Sequence, residues 1–374
     1  MRTTFPRFVL TAVLMSCCAG CLPNATWLPD SSGFVYTGGK NKDTLYLYNL
    51  EKKASRVLVE KGAGPAWPAV SPNGKRIAVA LRGTERVGKS LYHAFLEVVV
   101  FDRDGKELQR SEKMKWKDDT NFDVVAAQAF WVPGEDKLLL WSDAVTGFYD
   151  LIAKSHTLLD VNLATYRNTP IRPDGKGFLA VTKTGGPLCF VDWDGKKQDI
   201  QPTPEDASEG SKLWHLLYYP MMYSSHWDGD TAVVSWDDMR VATDADKLTA
   251  SLEKIKPETT ADGKVIQDQV KLADGGMVRA VELTKRWGQK HDPDDPYRYG
   301  RYRVELLKPG ANEPKVLMDA AAMFMIQPSP DGKKAVVRYS KSEDAIFKTS
   351  NPNEDLFYVI DGGGDVTDKI DISK

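Results

Sequence analysis

Ser71-Pro72-Asn73-Gly74-Lys75, leading into Arg76-Ile77-Ala78-Val79-Ala80, is the stretch that decides the fold. It comes back as Arg172-Pro173-Asp174-Gly175-Lys176 before Phe178-Leu179-Ala180-Val181, and as Ser329-Pro330-Asp331-Gly332-Lys333 before Ala335-Val336-Val337. Proline presets φ at about −65° for the first central residue of a type I turn, Asp or Asn suits the second, and Gly accepts the left-handed conformation that follows. The β-branched and small apolar run after it reads as a strand. Each copy therefore marks a tight hairpin.

A second turn signal follows each first one. Leu96 to Phe101 ends at Asp102-Arg103-Asp104-Gly105-Lys106, and Leu188-Cys189-Phe190-Val191 ends at Asp192-Trp193-Asp194-Gly195-Lys196. Leu356 to Ile360 ends at Asp361-Gly362-Gly363-Gly364, and Leu45-Tyr46-Leu47-Tyr48 ends at Asn49-Leu50-Glu51-Lys52. Two hairpin turns per unit give four antiparallel strands per unit. Such a sheet cannot bury both faces alone, and radial stacking buries them, so the expected fold is an all-β propeller. The turn prolines fall at 29, 72, 133, 173 and 330, and the first three gaps, 43, 61 and 40 residues, bracket the roughly 40–50-residue period of propeller blades.

The units fall at about 24–60, 61–111, 112–165, 166–203, 204–317 and 318–374. Unit two carries a longer loop, Arg82 to Ser90. Unit five lacks the proline. Ser224 to Asp230 occupies its turn, Thr231 to Trp236 its strand, and its second half is delayed to Tyr302–Leu307. Within the delay, about 240–300, Leu248, Leu252 and Ile255 have helix-like spacing. Lys264 to Leu272 and Met277 to Leu283 flank Asp274-Gly275-Gly276 as a hairpin. The expectation is about six blades with an inserted helix and hairpin in blade five, or seven if 240–300 hides a degenerate blade. The chain starts at an innermost strand and ends at an outermost one, which predicts ring closure by packing and not by a shared sheet.

These repeats resemble the TolB-type, WD40-like propeller units of bacterial envelope proteins. Trp67 with Ser71-Pro72-Asn73-Gly74-Lys75, and Ser329-Pro330-Asp331-Gly332-Lys333, match the first half of that pattern. Leu45-Tyr46-Leu47-Tyr48-Asn49 and Phe357-Tyr358-Val359-Ile360-Asp361 match the second. The resemblance covers most of the chain and implies a fold. TolB carries a separate α/β domain before its propeller, for which this chain leaves no room, so TolB's own role is not implied.

Residues 1–21 stand apart as a signal segment. Arg2 and Arg7 are a positive start, and Phe8 to Met15 is an apolar run too short to span a bilayer. Cys18-Ala19-Gly20-Cys21 closes the segment, which resembles a bacterial lipoprotein signal with Cys21 as the lipid attachment point. Leu14-Met15-Ser16-Cys17 also fits that pattern and makes Cys17 the runner-up. Leu22 is not the Asp that retains lipoproteins at the inner membrane, which favours the outer membrane. Cleavage at Cys21 leaves Cys189 as the remaining thiol of the four cysteines, in an apolar run where it reads as a small buried hydrophobe.

With Lys+Arg 50 against Asp+Glu 52, the net charge of −2 gives no basic field for nucleic acid. The five histidines form no pair at zinc-ligand spacing, and no metal or cofactor is expected. No Gly-x-Ser-x-Gly elbow occurs, and Gly362-Gly363-Gly364 reads as a turn, lacking the Lys-Ser/Thr of a phosphate loop. No residue is assigned a catalytic role. His226, Trp227, Asp228 and Asp230, with Asp292, Asp294 and Asp295, are the candidate ligand-binding set, against the plainer reading of solvated acidic loops. Of the ten tryptophans, Trp67, Trp131, Trp141 and Trp236 are expected between blades, and Trp193, Trp227 and Trp287 at turns or loops.

The reading that emerges is a lipid-anchored envelope propeller, facing the periplasm or the surface, acting as a non-catalytic binding or scaffold protein. Its partner is an unidentified envelope protein or glycan, placed near 240–300 because loops on a rigid scaffold carry function. The alternative is a lectin or hydrolase acting on envelope glycans or peptides through Asp and Trp residues at the mouth of the ring.

Overall fold

The computed structural model describes residues 25–39, 44–60, 67–86, 92–117, 127–134, 136–142, 145–163, 171–182, 188–200, 224–236, 239–284, 301–321, 323–340 and 355–372. Blade one is β1 (Ala25–Trp27), β2 (Gly33–Gly38), β3 (Thr44–Asn49) and β4 (Ala54–Val59). Blade two is β5 (Ala69–Val70), β6 (Arg76–Arg86), β7 (Tyr92–Asp102) and β8 (Glu107–Arg110), with β9 (Met114–Lys117) paired to β7. Blade three is β10 (Ala127–Trp131), β11 (Lys137–Ser142), β12 (Thr146–Asp150) and β13 (Ser155–Leu159). Blade four is β14 (Asn162–Leu163), β15 (Gly177–Val181), β16 (Leu188–Asp192) and β17 (Lys197–Asp199). Blade five is β18 (Ser224–Asp228), β19 (Thr231–Trp236), β20 (Met239–Asp244) and β21 (Thr249–Lys254). Blade six is β22 (Ile266–Lys271), β23 (Met277–Thr284), β24 (Arg301–Leu307) and β25 (Lys315–Ala321). Blade seven is β26 (Met323–Pro328), β27 (Lys334–Ser340), β28 (Asp355–Asp361) and β29 (Val366–Asp371).

Each sheet is antiparallel and built from strands consecutive in sequence, so the fold is a seven-bladed propeller. First strands touch the first strands of neighbouring blades, β1 against β5, β5 against β10 and β22 against β26, and they line the axis. Last strands such as β4 and β17 are largely exposed and form the rim.

The repeated turn is held by its own side chains. Gly74 N donates to Ser71 O (2.8 Å), Ser71 Oγ donates to Asn73 Oδ1 (2.9 Å), and Arg76 N donates back to Ser71 Oγ (3.0 Å). Ser329, Asp331 and Lys334 repeat this pattern. Gly74, Gly175 and Gly332 sit at φ of 70°, 72° and 68°, the left-handed region expected of them. The second turn has its own device, an aspartate whose Oδ1 accepts backbone N–H groups two to four residues on. Asp102 accepts from Asp104 and Lys106, Asp192 from Asp194 and Lys196, and Asp150 from Ile152 and Ala153.

Seven blades replace the favoured six, and the extra one comes from the stretch read as an insertion. The 266–271 and 277–284 hairpin is the first half of blade six, and β24, once assigned to blade five, pairs with β23 to complete it. Its turn, Leu272-Ala273-Asp274-Gly275-Gly276, closes with Leu272 N on Gly276 O (2.7 Å) but has Ala where the copies at 71–75, 172–176 and 329–333 have Pro. No helix lies at 246–255. Asp244 Oδ1 accepts from Asp246 N and Lys247 N, Leu248 takes φ 54° at the turn's left-handed position, and β21 follows as a rim strand. Blade five's first turn is only Gly229-Asp230, because Ser224–Asp228 is strand β18. Arg82–Arg86, read as loop, continues β6, while 87–90 lie outside the described residues.

Antiparallel order gives the ring two unlike faces. Connections between the first and second strands and between the third and fourth share one face, the turn face, which carries the tight turns at 71–75, 103–106 and 329–333. The other connections leave from the opposite loop face, and they include the long gaps between β17 and β18, β23 and β24, and β27 and β28.

Apolar clusters fill five interfaces. Ile77, Val79, Val99 and Phe101 of blade two meet Leu28, Val35, Leu45 and Leu47 of blade one. Further clusters join blades two and three, three and four, six and seven, and seven and one. The seven–one cluster closes the ring: its sheets share no strand, as expected, and Trp27 Nε1 donates across to Gln327 O (3.1 Å).

Candidate functional site

Blade five is flanked by ion pairs built on buried side chains, and one of them takes in a single member of the candidate set, Asp230. Arg172 stands where Ser71 and Ser329 stand in the other turns. Its side chain is 3% exposed and reaches Asp174 (3.2 Å), Asp230 (2.5 Å) and Asp246 (2.8 Å). Asp230 lies in the first turn of blade five and Asp246 in its second, so one guanidinium ties both turns to blade four. The position a metal ion would take among these carboxylates is filled by a cation from the chain itself. Among the described residues, no group of three His, Cys, Asp or Glu could hold a metal ion.

The electrostatics follow. The hydrogen bond from Arg172 holds the Asp246 carboxyl below its ordinary value of 3.8. Burial works against ionisation of Asp174, but the backbone and side chain of Lys176 and the charge of Arg172 win, and its pKa is lowered as well. A carboxylate whose folded pKa is depressed contributes stability that is fully present above its unfolded pKa and is lost as pH falls through the folded one. The blade four–five contact should therefore weaken once the pH drops below about 4. Urea unfolding midpoints measured from neutral pH into this range should fall more steeply for the natural chain than for Arg172→Met.

The other candidates divide. Asp228 ends β18 at the turn face beside Asp230, Trp227 lies half-buried in β18, and the register sets His226 opposite Val233. Asp292, Asp294 and Asp295, like Trp287, lie outside the described residues. The strand ends they join, Thr284 and Arg301, are at the loop face.

The tryptophans pack more fully than their positions implied. Trp131 donates to Ala69 O (2.9 Å) inside the blade two–three cluster, and Trp141 packs on the three–four cluster. Trp193, placed at a turn, stacks on Phe178 at 5.7 Å and donates to Gly175 O (2.5 Å), so it is a packing residue. Cys189 is buried, and burial pushes its thiol pKa up to about 12, so it is no nucleophile at neutral pH.

Sequence reasoning missed two features. A cleft of about 460 Å³ opens between blades one and two, lined by Asn49, Lys52, Arg56, Arg103 and Asp104 among others. Its two arginines are engaged: Arg103 with Asp30 (3.1 Å) and Ser32 Oγ (2.8 Å), Arg56 with Arg103 O (2.9 Å) and Asp104 (3.3 Å). The second is a buried carboxylate in blade six. Glu305, fully buried, lies 2.7 Å from Arg279 and 2.5 Å from Arg303. The signal for it was a charged residue within an apolar strand run.

No protein-family model and no curated protein matches the chain. Among solved structures it is similar to dihydro-heme d1 dehydrogenase NirN in complex with DHE, at 13% identity and a TM-score of 0.46, over 94% of this chain and 66% of that one. It is similar to TolB from Acinetobacter baumannii at 18% identity and a TM-score of 0.35, over 62% of this chain and 55% of that one. A mitotic checkpoint complex chain matches at 10% identity and a TM-score of 0.45, over 85% of this chain and 84% of that one. The chain thus spans just under two thirds of the NirN chain and little more than half of TolB. The propeller rests on the strand order itself.

Proposed function

We propose that this chain is a lipid-anchored propeller of the bacterial envelope, held to the membrane through Cys21 and acting as a binding or scaffold platform. The observation that carries the reading is the junction between its two parts. The cysteine-rich end of the signal-like segment is followed, after Leu22-Pro23-Asn24 alone, by Ala25 at the head of β1. The non-catalytic part draws support from the turns, where the Ser and Asp side chains that recur along the chain are bonded to their own backbone. The loop face offers a platform on a rigid ring, where partner-binding segments usually sit. The TolB-like turn pattern and Leu22 after Cys21 favour the envelope and its outer membrane.

Mass spectrometry of the N-terminal peptide from membrane-extracted protein tests the anchor. The expected result is an acylated Cys21, and Cys21→Ser should leave an unprocessed chain without the acyl mass. An acyl group on Cys17, or none at all, would overturn the assignment. Photo-crosslinking in cells, compared between labels at the two faces, tests the platform: an envelope partner captured from neither face would refute it.

A further inference from the structure

We propose that the cleft between blades one and two is a binding site for a small organic anion, a carboxylate or phosphate carried on a short apolar body. The site lies among the second turns of these blades, on the turn face, and does not depend on an anchor at Cys21. Its volume of about 460 Å³ falls within the roughly 300–1,000 Å³ of small-molecule sites. Leu28 and Leu47, buried members of the blade one–two cluster, give it an apolar floor. Lys52, Arg56 and Arg103 also line it, with Asp104 as the carboxylate among the lining residues. The Arg56 and Arg103 side chains are 50% and 42% exposed, so both cations are open to a ligand. Apolar lining with a few convergent polar groups is the usual make-up of such sites.

The two arginines are held in place by the fold. Arg56 is paired with Leu47 across β3 and β4, so both side chains point toward blade two. Arg103 reaches the other way, from blade two to blade one, where it donates to Asp30 (3.1 Å) and Ser32 Oγ (2.8 Å). The turn that carries Arg103 and Asp104 is itself fixed, because Asp102 Oδ1 accepts from Asp104 N and Lys106 N. Gly105 of the same turn packs so closely on β4 that an added Cβ would lie 2.5 Å from Leu58 O. The guanidiniums are therefore in position before anything binds, which lowers the entropic cost of recognition.

Their existing bonds leave the cleft with positive charge to spare. Arg56 directs Nη1 and Nη2 to the carbonyls of Asp104 (3.4 Å) and Arg103 (2.9 Å), which carry no neutralising charge. Its ionic partner, Asp104 at 3.3 Å, is 86% exposed, and ion pairs in water contribute little. Arg103 is matched by Asp30, which stands outside the lining. The Nε–H of neither arginine is bonded among the described residues. Lys52 is exposed, and only its backbone N–H is bonded among the described residues, to Asn49 Oδ1 (2.8 Å). Lys52 is thus the surplus cation. Guanidinium donors in a fixed fork suit the paired oxygens of a carboxylate or phosphate. The apolar floor favours an anion with a carbon body over a bare inorganic ion.

The test follows backbone amide signals of the full-length, isotope-labelled chain in detergent micelles by NMR. N-acetyl-leucine should shift the signals of Lys52, Arg56, Arg103 and Asp104 saturably, at a concentration roughly tenfold below that needed with acetate. N-acetyl-leucinamide, the same body without the charge, should shift none of them. Butyl phosphate distinguishes the two head groups: whichever anion saturates at the lower concentration identifies the class. Lys52→Glu breaks no bond of the structure and should weaken binding severalfold. Lys52→Glu/Arg56→Gln should weaken it by roughly tenfold or more. Lys154→Glu, on the matching turn of blade three, should leave it unchanged, and unshifted signals elsewhere will show that each variant is folded. Equal shifts with N-acetyl-leucinamide would overturn the site. So would undiminished binding in a folded Lys52→Glu chain, or no saturation with either anion. Each of these results would leave the lipid anchor and the loop-face platform standing.

Discussion

Phe357→Ala should open the ring at its closing seam, at a cost of about 3–5 kcal/mol. Phe357 is fully buried, with ring centroids 5.9 Å from Phe34 and 5.4 Å from Tyr36, and Val336, Val359 and Ile370 pack into the same cluster. Many propellers close by sewing a strand from one chain end into the sheet of the other. Here β1 to β4 form one sheet and β26 to β29 another. The seam therefore depends on side-chain packing and on isolated bonds such as Gly39 N to Ile372 O (2.8 Å) and Trp27 Nε1 to Gln327 O (3.1 Å). Removing the ring leaves a cavity between two rigid sheets that cannot collapse onto it.

The damage should be local. Amide exchange should quicken in β1, β2, β27 and β28 well before it does in blades three and four, whose own cluster is untouched. Val57→Ala, on the rim and 43% exposed, should change stability by less than about 0.5 kcal/mol. Uniform acceleration across all blades would show that the ring unfolds as one unit, and unchanged exchange at the seam would show that closure lies elsewhere.

The sequence made the repeated turns readable because their chemistry is local. Pro, Asp or Asn, and Gly each act within four residues, and the structure closes the expected tight turns from Gly74 N to Ser71 O and from Gly332 N to Ser329 O. Blade six escaped because Ala273 replaces the proline, although Asp274-Gly275 keeps the rest of the turn. Blade five misled because a rim strand needs no alternating apolar face. Leu248, Leu252 and Ile255 then matched a helical period by chance, while Asp244 was capping a turn. Arg172 could not be read from sequence, since its carboxylate partners Asp230 and Asp246 belong to another blade. The length of β6 was hidden because Arg82-Gly83-Thr84-Glu85-Arg86 has no apolar alternation, and only its pairing with Tyr92–Leu96 makes it strand and not loop.

The second large effect should come from Glu305. Its neighbours Val304 and Leu306 turn into the blade six–seven cluster, so alternation along β24 points Glu305 to the opposite face, toward blade five. There it is opposed in register by Arg279, with Arg303 two residues before it on the same strand. Glu305→Ala would leave both guanidiniums, 14% and 19% exposed, facing a void with no counter-charge between them. Breaking a buried pair from one side costs about 3–5 kcal/mol, because the remaining charge stays desolvated. Arg303 keeps a distant partner in Asp262 at 4.0 Å, which places the expected loss toward the lower end of that range.

Replacing both partners is predicted to behave differently. Glu305→Leu combined with Arg279→Leu removes the charge that would otherwise be stranded, and apolar pairs of similar volume are often neutral in such positions. The double variant should therefore recover much of what Glu305→Leu alone loses in urea unfolding, giving a large coupling energy in the double-mutant cycle. Additive losses would mean that each residue contributes through separate contacts. A loss of under about 1 kcal/mol for Glu305→Ala would mean that water enters the seam and solvates the arginines. That second result would recast the junction of blades five and six as a wet interface instead of a packed one.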